Sequence, residues 1–264
     1  MLISYHNHTV WSDGRSTISE LVASARGSGV TELGISDHFA IIPDGRSPDW
    51  SIKAEKLDAY VEDVLRTAKN ADDMTIRLGV EVDFFPETLE ESINLLKPYP
   101  LDFIIGSVHF INEFTIDLNV DHWEKISQEE RNKVWQTYWS YIAAAAKSGY
   151  FDFIGHFDLP KKFKFYPDID LTANAFAALD AIAAVDAALE INTSGWHKPV
   201  GEAYPALFYL EEARRRNIPL LINADSHDPN HVTRDFERAR ELAAAAGYTE
   251  LIRYEKRNRY AYPI

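Results

Sequence analysis

The chain has 264 residues, a formal net charge of −14, 46% hydrophobic and 26% charged residues, and no cysteine. That apolar share is too high for a disordered chain, and the missing cysteine excludes disulfides, thiolate zinc sites, iron–sulfur clusters and a cysteine nucleophile. The acidic balance argues against long nucleic acids or an anionic membrane as the main partner.

Short apolar runs alternate with helical patterns from end to end. The runs are Leu2–Tyr5, Glu32–Ser36, Thr75–Val80, Leu101–Gly106, Phe151–Gly155, Ala187–Ile191 and Pro219–Asn223. Between them lie predicted helices. Thr17–Arg26 follows Ser16 as a cap, and Lys53–Ala71 repeats apolar residues at helical spacing. Thr88–Leu96 and Gln128–Lys147 come next, the latter stopped by Gly149. Thr172–Val185, Pro205–Arg216 and Arg234–Ala246 complete the set, and Glu250–Tyr254 with the tail forms an extra strand or strap. Strands alternating with helices predict a parallel sheet, and seven such units predict one domain over residues 1–264, closed or nearly closed into a TIM-like barrel. An open doubly wound sheet is the alternative. The opening residues show no leader pattern, and no apolar stretch approaches the roughly 20 residues of a membrane span. A cytoplasmic location with no membrane partner is expected.

The residues just past each run carry the chemistry. His6 and His8 come after the first, Asp37 and His38 after the second, and Glu81 and Asp83 after the third. His109 comes after the fourth and His156 after the fifth. Glu190 and Asn192 end the sixth, and Asp225 and His227 lie past the seventh. In a β/α barrel these ends converge on one face. So many titratable groups brought together need something to pair with them, and divalent metal ions do this best. Histidine and carboxylate without cysteine suit zinc, manganese or iron. With Asp13 the candidate ligands are His6, His8, Asp13, His38, Glu81, His109, His156, Asp225 and His227. Nine candidates exceed one four-coordinate ion and suit two or three.

His6-Asn7-His8-Thr9, Ser12-Asp13-Gly14, Ser36-Asp37-His38, Gly79-Val80-Glu81, Gly106-Ser107-Val108-His109, Gly155-His156 and Asp225-Ser226-His227 together resemble the PHP (polymerase and histidinol phosphatase) family. The resemblance runs along essentially the whole chain. It implies a distorted seven-stranded (β/α)7 barrel with a trinuclear metal centre. His6, His8, Glu81 and Asp225 would hold one ion. Glu81 would bridge to a second, held also by His109 and His156, and Asp13, His38 and His227 would hold the third. Catalysis would rest on Glu81, His38 and Asp225. Within the family, Asp102–Ile111, Phe151–His156, and Leu189–Gly195 with Lys198–Glu202 and Tyr204-Pro205 are most similar to the histidinol-phosphate phosphatases. Trp196-His197 and the turn Asn112-Glu113-Phe114 depart from that branch.

The expected activity is hydrolysis of a small phosphate ester, L-histidinol phosphate first, by a metal-bridging hydroxide. Lys161, His197, Lys198 and Arg15 are the candidates for phosphate oxygens left free by the metals, and Arg234 comes after a ligand-bearing loop. Lys162, His122 and His231 read as surface residues. Glu190, Asn192 and Asp37 read as hydrogen-bonding supports of the ligand imidazoles, with Asp158 orienting His156. The alternatives are a phosphoesterase acting on a nucleotide, oligonucleotide or sugar phosphate, a C–N hydrolase on an amidohydrolase-type barrel, and a non-catalytic metal-binding scaffold. The oligomeric state is unknown from these residues.

Overall fold

A computed structural model describes residues 1–264. Seven parallel strands run in the order of the chain: β1 (Ile3–Ser4), β2 (Glu32–Ile35), β3 (Thr75–Asp83), β4 (Phe103–Ser107), β5 (Phe153–Ile154), β6 (Ala188–Asn192) and β7 (Leu220–Asn223). Helices cover the outside: α1 (Ile18–Gly27), α2 (Leu57–Lys69), α3 (Leu89–Leu96), α4 (Gln128–Lys147), α5 (Thr172–Ala184), α6 (Leu207–Arg215) and α7 (Phe236–Ala245). No strand ladder joins β7 to β1. The seam is instead closed just past their ends, by a parallel bridge between Asn7 and Ser226. His8 N–H donates to Ser226 O at 2.8 Å and Ser226 N–H donates to His6 O at 3.1 Å. That closure rules out the open doubly wound sheet and gives the distorted seven-stranded barrel. No helix is long and apolar enough to cross a membrane.

The period of two along β3 shows how the barrel is filled. Ile76, Leu78, Val80 and Val82 point outward into the core beneath the helices. The intervening residues face the axis. Arg77 pairs with Glu32 at 2.8 Å near one end. Gly79 makes room for the Phe103 ring, which a Cβ there would meet at 2.3 Å. Glu81 and Asp83 then reach the opposite end, both 1% exposed. An inner cluster of Tyr5, Phe103, Ile105, Phe153, Ala188 and Leu221 fills the middle.

Several boundaries differ from those expected. β3 continues past Val80 because it changes partner midway. Its first half pairs with β2, and Glu81–Val82 pairs with the short strand His38–Phe39. Glu81 therefore lies within a strand rather than beyond one. The first helix is capped by Thr17, not Ser16, in a capping box with Glu20. The predicted Lys53–Ala71 helix opens with a 3-10 turn at Ala54–Lys56. The chain ends in an antiparallel hairpin, β8 (Glu250–Glu255) with β9 (Asn258–Pro263). It plugs the end of the barrel opposite Glu81: Ile252 and Tyr254 join the inner cluster, and Tyr254 N–H donates to Tyr5 Oη at 2.9 Å.

Candidate metal centre

All nine candidate ligands gather at the end of the barrel where the strands terminate, around Glu81. Its Oε2 lies 3.0 Å from His6 Nε2, 3.3 Å from His8 Nε2 and 3.1 Å from His38 Nδ1. Its Oε1 lies 3.1 Å from His156 Nε2 and 4.0 Å from His109 Nε2. Asp225 Oδ1 is 3.3 Å from His8 Nε2 and 3.5 Å from His227 Nδ1. Asp13 Oδ1 is 3.2 Å from His227 Nε2 and 3.8 Å from His38 Nε2. Two ligand candidates, His156 and Asp225, hold left-handed backbone at φ 27° and 51°. Non-glycine residues keep that conformation only where surrounding contacts impose it.

The donor set fits metal ions. Three groups bring their ligand atoms within 4.8 Å of one another: His8, Asp13, His38 and His227; His6, His8 and Glu81; and His38, Glu81 and His109. His8 and His38 each belong to two groups, so the side chains are shared more than the three sets implied by the family resemblance. His6 Nε2, both nitrogens of His8, His38 Nδ1 and Glu81 Oε2 are buried without a hydrogen-bond partner. Buried polar atoms are rarely left so, and four imidazole nitrogens beside one carboxylate oxygen mark a place for cations. The Nε2 atoms of His109 and His156 face each other at 3.1 Å. Two imidazole lone pairs aimed at one point need a proton or a metal between them.

The electrostatics agree. Burial alone would raise the Glu81 carboxyl, but His6, His38 and His156 outweigh it and hold it well below its ordinary value. Asp225 is likewise held well below its ordinary value, by His6, His8 and His227 against burial. Burial, with His227 and His38 repelling a second proton, lowers His8 to about 3, so this imidazole is neutral and can ligate. Burial opposes charge on His38 and His109 too, yet Glu81 lifts the first to about 9 and Asp83 lifts the second to about 10.

A second layer fixes the ligands. Glu190, fully buried, accepts from His6 Nδ1 at 3.0 Å, His156 N at 2.9 Å, Asn192 Nδ2 at 2.9 Å and Asn223 Nδ2 at 2.8 Å. The first of these contacts aims His6 Nε2 at Glu81. Without a metal, burial is outweighed by Glu190, Glu81 and Asp225, which hold the imidazole well above its ordinary value, so Nε2 gives up a proton when it ligates. We predict that Glu190→Gln lowers metal affinity about ten- to a hundredfold, because the amide leaves His6 at best a neutral acceptor and turns an N–H group toward donors that the carboxylate now accepts from. Unchanged affinity in a competitive chelator titration would refute this. Asp83 accepts from His109 Nδ1 at 2.6 Å and does the same work for that ring. Its spacing of two from Glu81 was the available signal.

Other expected roles change. Asp37 touches no ligand imidazole; it accepts from Thr9 N at 2.7 Å and Ser12 Oγ at 2.6 Å and pins the loop that carries Asp13. Asp158 does not orient His156. It accepts from Lys161 Nζ at 2.9 Å and Ala206 N at 3.0 Å.

The cluster forms the floor of a cavity of about 670 Å³. Lys198, His197 and Arg15 line it, as expected of phosphate contacts. His197 Nε2 is already held by Asp235 at 2.5 Å. Lys161 does not line the cavity, and its expected phosphate role is corrected: it is 3% exposed and its Nζ also donates to Ala203 O at 2.8 Å, because the 3-10 turn Leu159–Phe163 aims it inward. The adjacent Lys162 turns into the cavity instead and pairs with Asp117 at 3.2 Å. His231, read as a surface residue, also lines the cavity, together with Arg234, Tyr204 and Trp50. Trp50 packs edge-on to His38 at 5.4 Å and stacks on Phe110. One-residue choices such as Lys161 against Lys162 depend on a turn whose phase no periodicity announces.

Comparison with known proteins bears on this site. The model of the PHP domain matches residues 4–194. Asp225 and His227 lie beyond that match and are brought to the cluster by β7. A probable histidinol-phosphatase from Deinococcus radiodurans is 34% identical over 258 residues, 97% of this chain and 98% of that protein. A histidinol-phosphatase from Bacillus subtilis is 27% identical, over 84% of this chain and 91% of that protein. The crystal structure of histidinol phosphate phosphatase from Lactococcus lactis, complexed with zinc, L-histidinol and phosphate, superposes with a TM-score of 0.80 at 21% identity, over 98% of each chain. The chain therefore belongs to the PHP domain family, in its histidinol-phosphatase branch.

Proposed function

We propose that the protein is a metal-dependent phosphomonoesterase that hydrolyses L-histidinol phosphate to L-histidinol and phosphate. The observation that carries this is the single Glu81 carboxylate facing five imidazoles at the floor of a cavity that Arg15, Lys198 and Arg234 also line. Relatives along nearly the whole chain bear the name histidinol-phosphatase, and the Lactococcus lactis protein was crystallised with zinc, L-histidinol and phosphate.

His6, His8, Glu81 and Asp225 are proposed to hold one ion, Glu81 with His109 and His156 a second, and Asp13, His38 and His227 a third. Zinc suits the nitrogen-rich donor set, with manganese or iron as alternatives. Two or three divalent ions there would neutralise phosphate charge, activate water near neutral pH and orient an in-line displacement. The chain's own groups complete the site. Glu190 and Asp83 hold the imidazoles in position. Lys198 and Arg234 have no ion pair within the protein and line the cavity, so they are available to phosphate oxygens. Asp117, with Lys162, faces the same space and suits a cationic part of the substrate. Neither β4 (Phe103–Ser107) nor β6 (Ala188–Asn192) carries a lysine, which disfavours a lysine-bridged amidohydrolase centre.

The test is a phosphoester panel with zinc- or manganese-loaded protein: histidinol phosphate, sugar phosphates, mononucleotides and p-nitrophenyl phosphate. Histidinol phosphate is expected to give the highest kcat/KM. Preference for a nucleotide would overturn the substrate, and no phosphate release from any ester would overturn the activity.

A further inference from the structure

Tyr204 is a cavity-lining residue with an unexplained polar atom. Its backbone is tied to β6: Asn192 N–H donates to Tyr204 O at 2.6 Å, and Tyr204 N–H donates to Asn192 O at 3.0 Å. Its ring is fixed as well. A Cβ at Gly195 would stand 2.8 Å from the ring, so only glycine lets the ring lie there. Lys161 Nζ sits 5.5 Å from the ring centroid, tethered by Asp158 and Ala203. The residue is 1% exposed and lines the cavity, yet its hydroxyl has no hydrogen-bond partner in the protein.

A buried hydroxyl without a partner is destabilising, and phenylalanine would fill the same space without that cost. The hydroxyl is therefore best explained by a ligand. Burial, then the charges of Asp158, Asp225 and Asp117, push its ionisation far above the ordinary tyrosine value. It keeps its proton and serves as a neutral donor, which suits an anionic oxygen. Its surroundings point the same way. Arg234, whose buried Nε also lacks a partner, and Lys198 line the same cavity, and Asp225 belongs to the candidate metal cluster.

We infer that the Tyr204 hydroxyl donates a hydrogen bond to a phosphoryl oxygen of the bound substrate, which makes Tyr204 a catalytic residue beside the metal cluster. This rests on the phosphatase reading above. No proton is transferred in this contact; the hydrogen bond holds the phosphoryl group and strengthens as charge builds on its oxygens.

Tyr204→Phe deletes one oxygen and keeps the ring against Gly195. Zinc-loaded parent and variant are compared for binding of inorganic phosphate by calorimetry, with zinc content and thermal midpoint measured on the same samples. Phosphate is expected to bind about tenfold more weakly to the variant, with zinc content and midpoint unchanged. The kcat/KM for an alkyl phosphate and for p-nitrophenyl phosphate should fall together, by about ten- to a hundredfold. Phosphate affinity within twofold of the parent would overturn the inference. A loss confined to the alkyl ester would place the hydroxyl on the leaving-group oxygen instead, and a loss of zinc would reduce Tyr204 to a support of the ligand loops. Phosphate binding by a parent that hydrolyses no ester would sink the phosphatase reading alone, and the Tyr204 contact would still be read from binding.

Discussion

Replacing Glu81 by glutamine should lower kcat/KM about a thousandfold and remove at least one metal ion per chain. The side chain keeps its shape, so packing against Ser107, whose Oγ donates to Glu81 Oε1 at 2.5 Å, is retained. What changes is chemistry. The carboxylate offers two anionic oxygens, one toward His6, His8 and His38 and the other toward His156 and His109. An amide offers one neutral oxygen and a nitrogen that only donates, so it cannot bridge two cations. Losing several kcal/mol of charge stabilisation corresponds to the thousandfold loss, since each ~1.4 kcal/mol is tenfold in rate. Elemental analysis and a phosphatase assay check this together. Glu81→Asp separates charge from reach: it should recover ions in part while activity stays low. Unchanged ion content in the glutamine variant would refute the bridging role of Glu81.

Why was so much of this centre legible in the chain itself? A strand has a period of two and a barrel gathers all its strand ends, so residues such as His6, Glu81, His156 and Asp225 can be brought together without coordinates. The same logic reaches Glu190 and Asn192, which face the axis on β6. It fails where a loop decides. Lys161 and Lys162 are neighbours in one 3-10 turn, and only the phase of that turn sends the first into a buried pair with Asp158 and the second into the cavity. Tyr204 and Arg234 sit on loops whose return to the cavity depends on contacts with Asn192 of β6 and with Thr193 just past it rather than on any local pattern. Asp37 shows a third case. It follows β2 as the pattern implies, but its carboxylate accepts from Thr9 N–H, Thr9 Oγ1 and Ser12 Oγ and so ties the Thr9–Ser12 loop instead of an imidazole. The acidic balance also takes on a different meaning. Part of the net charge of −14 sits in this cluster, where bound cations would reverse the local sign and draw a phosphate inward.

Removing the metals should invert the pH dependence of stability. In the ion-free protein His38 and His109 titrate at about 9 and about 10, above the ordinary imidazole value. A raised folded-state pKa contributes stability that is fully present below about 6.5 and is lost as pH climbs through the folded values. Glu81 and Asp225, held well below the ordinary carboxylate value, contribute stability above about 4 that is lost only in acid. The ion-free protein is thus expected to be most stable between about pH 5 and 7, and to lose several degrees in thermal midpoint between about pH 6.5 and 8.5. Metal binding competes with protons for the same nitrogens, so affinity rises over that interval and the loaded protein should hold its midpoint or gain. The gap between loaded and ion-free midpoints should exceed about 10 °C near pH 7.5, since ligands that bind only the folded state stabilise by mass action. Calorimetric titration of zinc into ion-free protein at about pH 7.5, in two buffers of different ionisation enthalpy, should register release of at least two protons per chain, from His38 and His109, with His6, also held well above the ordinary imidazole value, adding to them. Zinc binding without proton release would contradict the protonated state assigned to these two imidazoles, and an ion-free midpoint that rises with pH would contradict the linkage drawn from them.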